Sequence, residues 1–263
     1  MFDKIGFQMY TVRDYMSNAD VADLVFSKLA EMGYSELHVA MPAGCIDEAK
    51  ILEICQKYGI RIIGSHYNWK KLLECPEEVM AIHDAWGTKN IGVGGMPEEP
   101  RRDLAKLREY INLFNKTAEQ YAKYGFRLGY HNHYFEFIRV DGKKTMMDLL
   151  VENLDPKNTS FILDTAWLAA GACDCAQWIY KLAGRIDILH LKDLYFLADG
   201  RRLYPKATEV GNGMLDFLPI VKAAKETGVK HFIVEQDETF SPDPVTSLEI
   251  SAKFLKPMMD ESK

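Results

Sequence analysis

The chain has 263 residues, 48% hydrophobic and 27% charged, with a formal net charge of −6 from 38 acids against 32 bases. A globular chain of this length buries roughly three-quarters of its unfolded surface and needs no staples. The acidic balance disfavours a protein that grips a phosphate backbone, and no apolar run reaches the ~18 residues of a membrane span.

The pattern alternates in chain order between short Ile/Val/Phe-rich runs and longer stretches at helical spacing. Lys4 to Tyr10 reads as a strand, and Val21 to Met32 as a helix closed by Gly33. Glu36 to Ala40 is a second strand, followed by a helix over Ile46 to Tyr58 with Gly59 just past its end. Arg61 to His66 is a third strand. A short helix near Glu77 to Trp86 precedes a fourth, Asn90 to Gly94. Arg101 to Tyr124 is the longest helix, and Phe126 to His133 the fifth strand. Then come a helix over Met146 to Leu154, a strand over Ser160 to Asp164 and a helix over Ala176 to Ala183. Ile186 to Lys192 is the seventh strand, Leu215 to Thr227 a helix, His231 to Glu235 the eighth strand and Pro244 to Leu255 the last helix.

Strand–helix alternation implies parallel pairing. Eight such pairs near the usual ~250 residues predict one (β/α)8 TIM barrel over residues 1–263. A doubly wound sheet would want a Gly-rich turn after the first strand, and Met9-Tyr10-Thr11-Val12-Arg13 is not one. Tyr195 to Asn212 reads as a long loop over the barrel mouth.

A barrel carries its chemistry at the C-terminal ends of its strands. The fifth ends in Tyr130-His131-Asn132-His133, the sixth in Leu163-Asp164-Thr165, the seventh in His190-Leu191-Lys192-Asp193 and the eighth in Glu235-Gln236-Asp237. Residues two apart share a strand face. The apolar pair Leu189 and Leu191 suits the helix-covered outside, which turns His190 and Lys192 into the mouth. The same alternation turns Asp164 inward and groups His131 with His133 and Glu235 with Asp237. His131, Asp164, His190 and Glu235 make a mixed nitrogen–oxygen set that suits Mn²⁺, Zn²⁺, Co²⁺ or Fe²⁺ better than Mg²⁺.

In the first half, Gln8 and Tyr10 end strand one, His38 ends strand two and His66 strand three. Gly92-Val93-Gly94-Gly95 leaves room for a ligand, and Trp69 and Trp167 offer faces for a sugar ring. The five cysteines, irregularly spaced, read as thiols in a reducing compartment. Met1-Phe2-Asp3-Lys4 lacks the order of a signal peptide, so a cytoplasmic location is expected.

These segments, with Gly6 to Asp14, Gly129 to Phe137, Gly184-Arg185-Ile186 and Val210-Gly211-Asn212-Gly213, resemble the sugar phosphate isomerase/epimerase superfamily. Its barrel is xylose isomerase-like, and its members include inosose dehydratase, ketose 3-epimerases and endonuclease IV. The resemblance implies a divalent metal held from strands five to eight, with Asp164, His190 and Glu235 on the last three positions. His131 stands where many relatives carry Glu, so Glu136 is a second candidate for the fourth ligand. His38 stands where a family Glu often ends strand two.

The resemblance further implies isomerisation or epimerisation of a sugar or keto-sugar by removal of the proton alpha to a carbonyl. Glu235 or His133 would be the base and Lys192 would stabilise the enediolate. Dehydration of a keto-sugar or inosose is the alternative, because the set lacks the second metal-bound Glu of the epimerases. A small carbohydrate is the expected partner, unphosphorylated for want of a Gly-rich phosphate loop, with no nucleic acid, no membrane and room for a homo-oligomer. DNA repair would need further ligands, for which His38, His66 and His83 are only a partial set. A non-catalytic sugar-binding barrel is the remaining class.

Overall fold

The computed structural model describes residues 4–259. Eight parallel strands close into a barrel: β1 (Ile5–Gln8), β2 (Tyr34–Ala40), β3 (Arg61–Tyr67), β4 (Asn90–Val93), β5 (Arg127–His131), β6 (Thr159–Asp164), β7 (Ile186–Leu191) and β8 (His231–Val234). Closure is made where β1 pairs with β8, Gly6 beside Ile233 and Phe7 beside Val234. Within the described residues, no helix is long and apolar enough to cross a membrane.

Alternation divides the core. Leu37, Phe161, Leu163, Leu189 and Leu191 face the surrounding helices in the large outer core. Ile63, Ile162, Ile188 and Ile233 form a separate apolar plug inside the barrel. The pairing of β2 with β3 skips Ile63, with Leu37 beside Ile62 and His38 beside Gly64. That bulge lets Ile63 join the plug while His66, three residues on, reaches the mouth.

The plug also fills the gap expected at Gly92. A Cβ there would lie 2.5 Å from Ile162 Cδ1, so that glycine serves packing rather than a ligand. Trp69 is likewise diverted: its ring stacks on Phe114 with centroids 5.5 Å apart, under the helices and away from the mouth.

Several elements differ from the sequence reading, three of them instructively. Strand one stops at Gln8, because the Gln8 side chain accepts a hydrogen bond from Tyr10 N and starts a 3-10 turn over Met9–Tyr15. The long helix starts at Leu104 rather than Arg101, because Asp103 adopts an extended backbone and caps it by accepting from Lys106 N.

The segment read as a loop is largely a β-hairpin. Asp193–Asp199 pairs antiparallel with Arg202–Thr208, with Gly200 (φ 59°) and Arg201 at the turn. A glycine of positive φ in the first central position suits the type II′ hairpin turn.

The hairpin root is fixed by one buried carboxylate. Asp193 accepts from the backbone N–H groups of Leu194 (2.8 Å), Gly211 (3.0 Å), Gly213 (3.0 Å) and Leu215 (3.2 Å). Gly213 must be glycine here, since a Cβ would collide with that carboxylate. Asp193→Ala strands these donors and is expected to cost about 2–4 kcal/mol, read from urea unfolding. A loss below about 0.5 kcal/mol would place the anchor elsewhere.

Candidate metal centre

The plug is the floor of a polar chamber. Above it, His131, Asp164, His190 and Glu235 bring one ligand atom each to within 4.8 Å of one another, and all four are buried. They arrive from β5, β6, β7 and the residue after β8, and Asp164 lies beside His190 in the sheet register. A second group, His38, His66 and His190, satisfies the same distance limit and shares His190.

Hydrogen bonding in the chamber is incomplete in an informative way. His131 Nδ1 and Nε2, His38 Nε2, His66 Nε2 and Asp164 Oδ2 are buried and have no hydrogen-bond partner. Buried polar atoms in native proteins are nearly always satisfied, so an orphaned set of nitrogen and oxygen lone pairs fits a bound cation. Burial holds the imidazoles of His38, His66 and His133 well below their ordinary pKa, which keeps those rings neutral. Neutral imidazole is the form that ligates metals.

Charge bookkeeping agrees. Lys192 Nζ lies 3.4 Å from Glu235 Oε2, 3.6 Å from Asp164 Oδ2 and 2.5 Å from Asp237 Oδ2. Burial alone would depress that ammonium, but Glu235, Asp237 and Asp164 outweigh it and hold its pKa above the ordinary value. Burial likewise opposes the Glu235 carboxylate, yet Lys192 and His190 hold it well below the usual range. Three carboxylates against one ammonium leave a charge deficit that a dication would neutralise.

The neighbours orient these groups. His190 faces Glu235 Oε2 through Nδ1 (3.0 Å) and His38 Nδ1 through Nε2 (2.9 Å). Gln8 Nε2 also reaches His38 Nδ1 at 2.9 Å. Asp164 Oδ1 accepts from Trp167 N and caps the helix Thr165–Ala170, which sets the Trp167 ring at the mouth. Its own N–H donates to Asn132 Oδ1.

A cavity of about 460 Å³ opens above the chamber, lined in part by Tyr10, His66, His131, His133, Trp167, Lys192, Glu235 and Asp237. Thus Tyr10, His66 and Trp167 reach the cavity expected to bind substrate. Gln8 and His38 do not line it: both are fully buried beneath it, where His38 contacts His190 and Gln8 contacts His38. Glu136 is absent from both ligand groups. Its carboxylate accepts from Tyr130 Oη (2.7 Å) and His133 N (2.8 Å), and burial raises its pKa to about 7. The reason is alternation: Tyr130 points outward from β5, and Glu136 follows it.

His83 lies outside the chamber, between Ser65 Oγ (2.6 Å) and Val79 O (2.7 Å). Asp237 is the site residue that sequence reasoning underweighted; its place two residues after Glu235 was the available signal.

The family profile described as xylose isomerase-like TIM barrel matches residues 26–258. The chain belongs to that family. It is 27% identical over 211 residues to an inosose dehydratase of Lactiplantibacillus plantarum, covering 75% of this chain and 69% of that protein. An inosose dehydratase of Geobacillus kaustophilus is 26% identical over 275 residues, covering 89% and 86%. Among solved structures, a sugar phosphate isomerase/epimerase from Parabacteroides distasonis superposes with a TM-score of 0.79 at 22% identity, over 99% of this chain and 96% of that one. That likeness, within this xylose isomerase-like family, is one of fold.

Proposed function

We propose that this member of the family is a divalent-metal-dependent enzyme acting on an unphosphorylated keto-sugar or ketone-bearing cyclitol. It removes the proton alpha to the carbonyl, and elimination of a beta-hydroxyl as water is the favoured outcome. The observation that carries this reading is the distribution of groups around the cavity. Its carboxylates, Glu235 and Asp237, are two residues apart on one wall, and the imidazoles of His66, His131 and His133 make up other walls. A single carboxylate face can take the alpha proton and return it to a hydroxyl leaving from the same face. Two-base epimerisation wants a second carboxylate opposite, so elimination ranks above the isomerisation expected from sequence. The relatives named inosose dehydratase support the same ranking.

His131, Asp164, His190 and Glu235 would hold the ion, which when bound polarises the carbonyl and an adjacent hydroxyl. Glu235, kept ionised by Lys192 and His190, accepts the alpha proton and delivers it to the departing oxygen. Lys192 sits beside Glu235 and offsets the negative charge that develops on the substrate oxygen. Trp167 presents a ring face to the apolar side of the sugar. Among the cavity-lining residues Lys192 is the cation, and its partners are already three carboxylates, which leaves no charge to hold a phosphate ester.

The test is a panel of inososes and hexuloses in D₂O with Mn²⁺, Zn²⁺, Co²⁺ or Fe²⁺. Alpha-carbon exchange by NMR with an unsaturated ketone in the product is expected. Absence of exchange with every ketone and every ion would overturn the proposal.

A nuclease reading predicts the opposite partner. With His83 committed to Ser65 and Val79 and the net charge at −6, an abasic-site duplex is expected to be neither retained nor cut at physiological salt. Cleavage above a chelated control would reverse that ranking.

A further inference from the structure

The hairpin that follows β7 has two different faces. Cross-strand partners share a face, and the pairs Leu194–Ala207, Phe196–Pro205 and Ala198–Leu203 make one face wholly apolar. At the root that face is covered, with Leu194 2% exposed. Toward the tip it is bare, with Leu203 69% exposed. The other face alternates Tyr195, Leu197 and Asp199 with Lys206, Tyr204 and Arg202. An isolated two-stranded ribbon is marginal in water, and a bare apolar face marks a contact surface.

The bare face runs into a groove of about 360 Å³ at the hairpin root, lined by Leu194, Phe196, Met214, Ile220 and Cys173. Asp174 and Asp216 also line it. Each caps a helix through one oxygen, on Gln177 N and Leu218 N, and neither has a cationic partner among the described residues. At the hairpin tip, Arg201 lies in the turn, exposed and without a carboxylate partner among the described residues, while Arg202 stands across from Asp199 on the other face. Strands of this length span about 20 Å, so the tip cannot bend back into the groove at its own root.

We propose that the occupant of this surface is a second copy of the chain. Two hairpins lie antiparallel about a two-fold axis with their apolar faces together. The tip of each, Ala198 and Leu203, fills the root groove of the other, and Arg201, at the turn, meets the acidic rim formed by Asp174 and Asp216. A two-fold contact must be self-complementary. This surface is, since apolar tip meets apolar root and basic tip meets acidic rim within one repeated patch. The groove borders the helix Thr165–Ala170, so the partner's tip packs near the element that presents Trp167. The proposal is independent of the reaction assigned above, because its test reads mass and cross-linking.

Sedimentation equilibrium of the full chain should give twice the 30.0 kDa chain mass. Leu203→Asp buries a charge at both tips and should raise the dissociation constant roughly a hundredfold or more. Asp174→Arg with Asp216→Arg should weaken the dimer, and adding Arg201→Asp should recover part of it, a rescue that a misfolded variant would not show. In a separate arm, Leu203→Cys under mild oxidation should give a disulfide-linked dimer that disappears when Cys173→Ser is added. A monomeric wild type at every concentration would overturn the proposal. So would a dimer that is indifferent to Leu203→Asp and unlinked by Leu203→Cys, or a partner of different sequence seated on the groove.

Discussion

Glu235→Gln, assayed with its metal loaded, is expected to lose ~10²–10⁴ of the rate of alpha-proton exchange. The side chain is 5% exposed and lines the cavity, so it can reach a substrate without being solvated. The ammonium of Lys192 at 3.4 Å and the ring of His190 at 3.0 Å keep it ionised and ready to accept a proton. Glutamine preserves the size and one coordinating oxygen but removes the basic site. The measurement is deuterium incorporation at the alpha carbon, with metal content determined on the same sample. If the loaded variant exchanges at the wild-type rate, the base lies elsewhere. His133 is then the better candidate, since it lines the same cavity and burial keeps its ring neutral.

Asp164→Ala is expected to abolish near-stoichiometric metal. Asp164 Oδ2 has no hydrogen-bond partner, lies 3.6 Å from both His131 Nε2 and Lys192 Nζ, and belongs to the four-residue group. Removing even an outer-shell partner typically costs ~10–100-fold in metal affinity, and a direct ligand should cost more. The same substitution removes the cap on the helix Thr165–Ala170, worth ~1 kcal/mol. Asp164→Asn separates the two effects. Asparagine caps as well as aspartate, so the helix and Trp167 should stay in place while metal affinity still falls. Elemental analysis of both variants, prepared without chelator, provides the check. Full metal occupancy in Asp164→Ala would remove Asp164 from the ligand set.

Much of the site was legible because a strand has only two faces. Once Leu189 and Leu191 were assigned to the helix layer, His190 had to point inward. The same parity placed Asp164 with Ile162 and Glu235 with Ile233, and those isoleucines do form the plug beneath them. Bulges are the weak point of such reasoning: Ile63 and His66 would sit on opposite faces of a regular strand, yet both are inside.

The hairpin is harder to read for a different reason. Its alternation of Leu194, Phe196 and Ala198 against Leu203, Pro205 and Ala207 is present in the sequence, with Gly200-Arg201 between. Strand-like alternation outside the βα repeat of a barrel has no partner in the barrel sheet, so the local pattern does not say that the two halves pair with each other.

The sequence alone determined the period, the order of the eight strand–helix pairs and the depth at which four ligand-type residues end consecutive strands. These follow from local alternation and from the parallel pairing it enforces. Tertiary structure decided where the chain turns once each strand has ended. Gln8 folds beneath the chamber to meet His38, and Glu136 is drawn outward to Tyr130. Trp69 is taken by Phe114, while Asp193 gathers backbone donors that lie up to 22 residues further along the chain. Apart from the Glu136 contact, which is made six residues away, those outcomes rest on capping bonds and contacts between residues remote in sequence. Such partners are available only after the barrel has closed, so no local pattern encodes them.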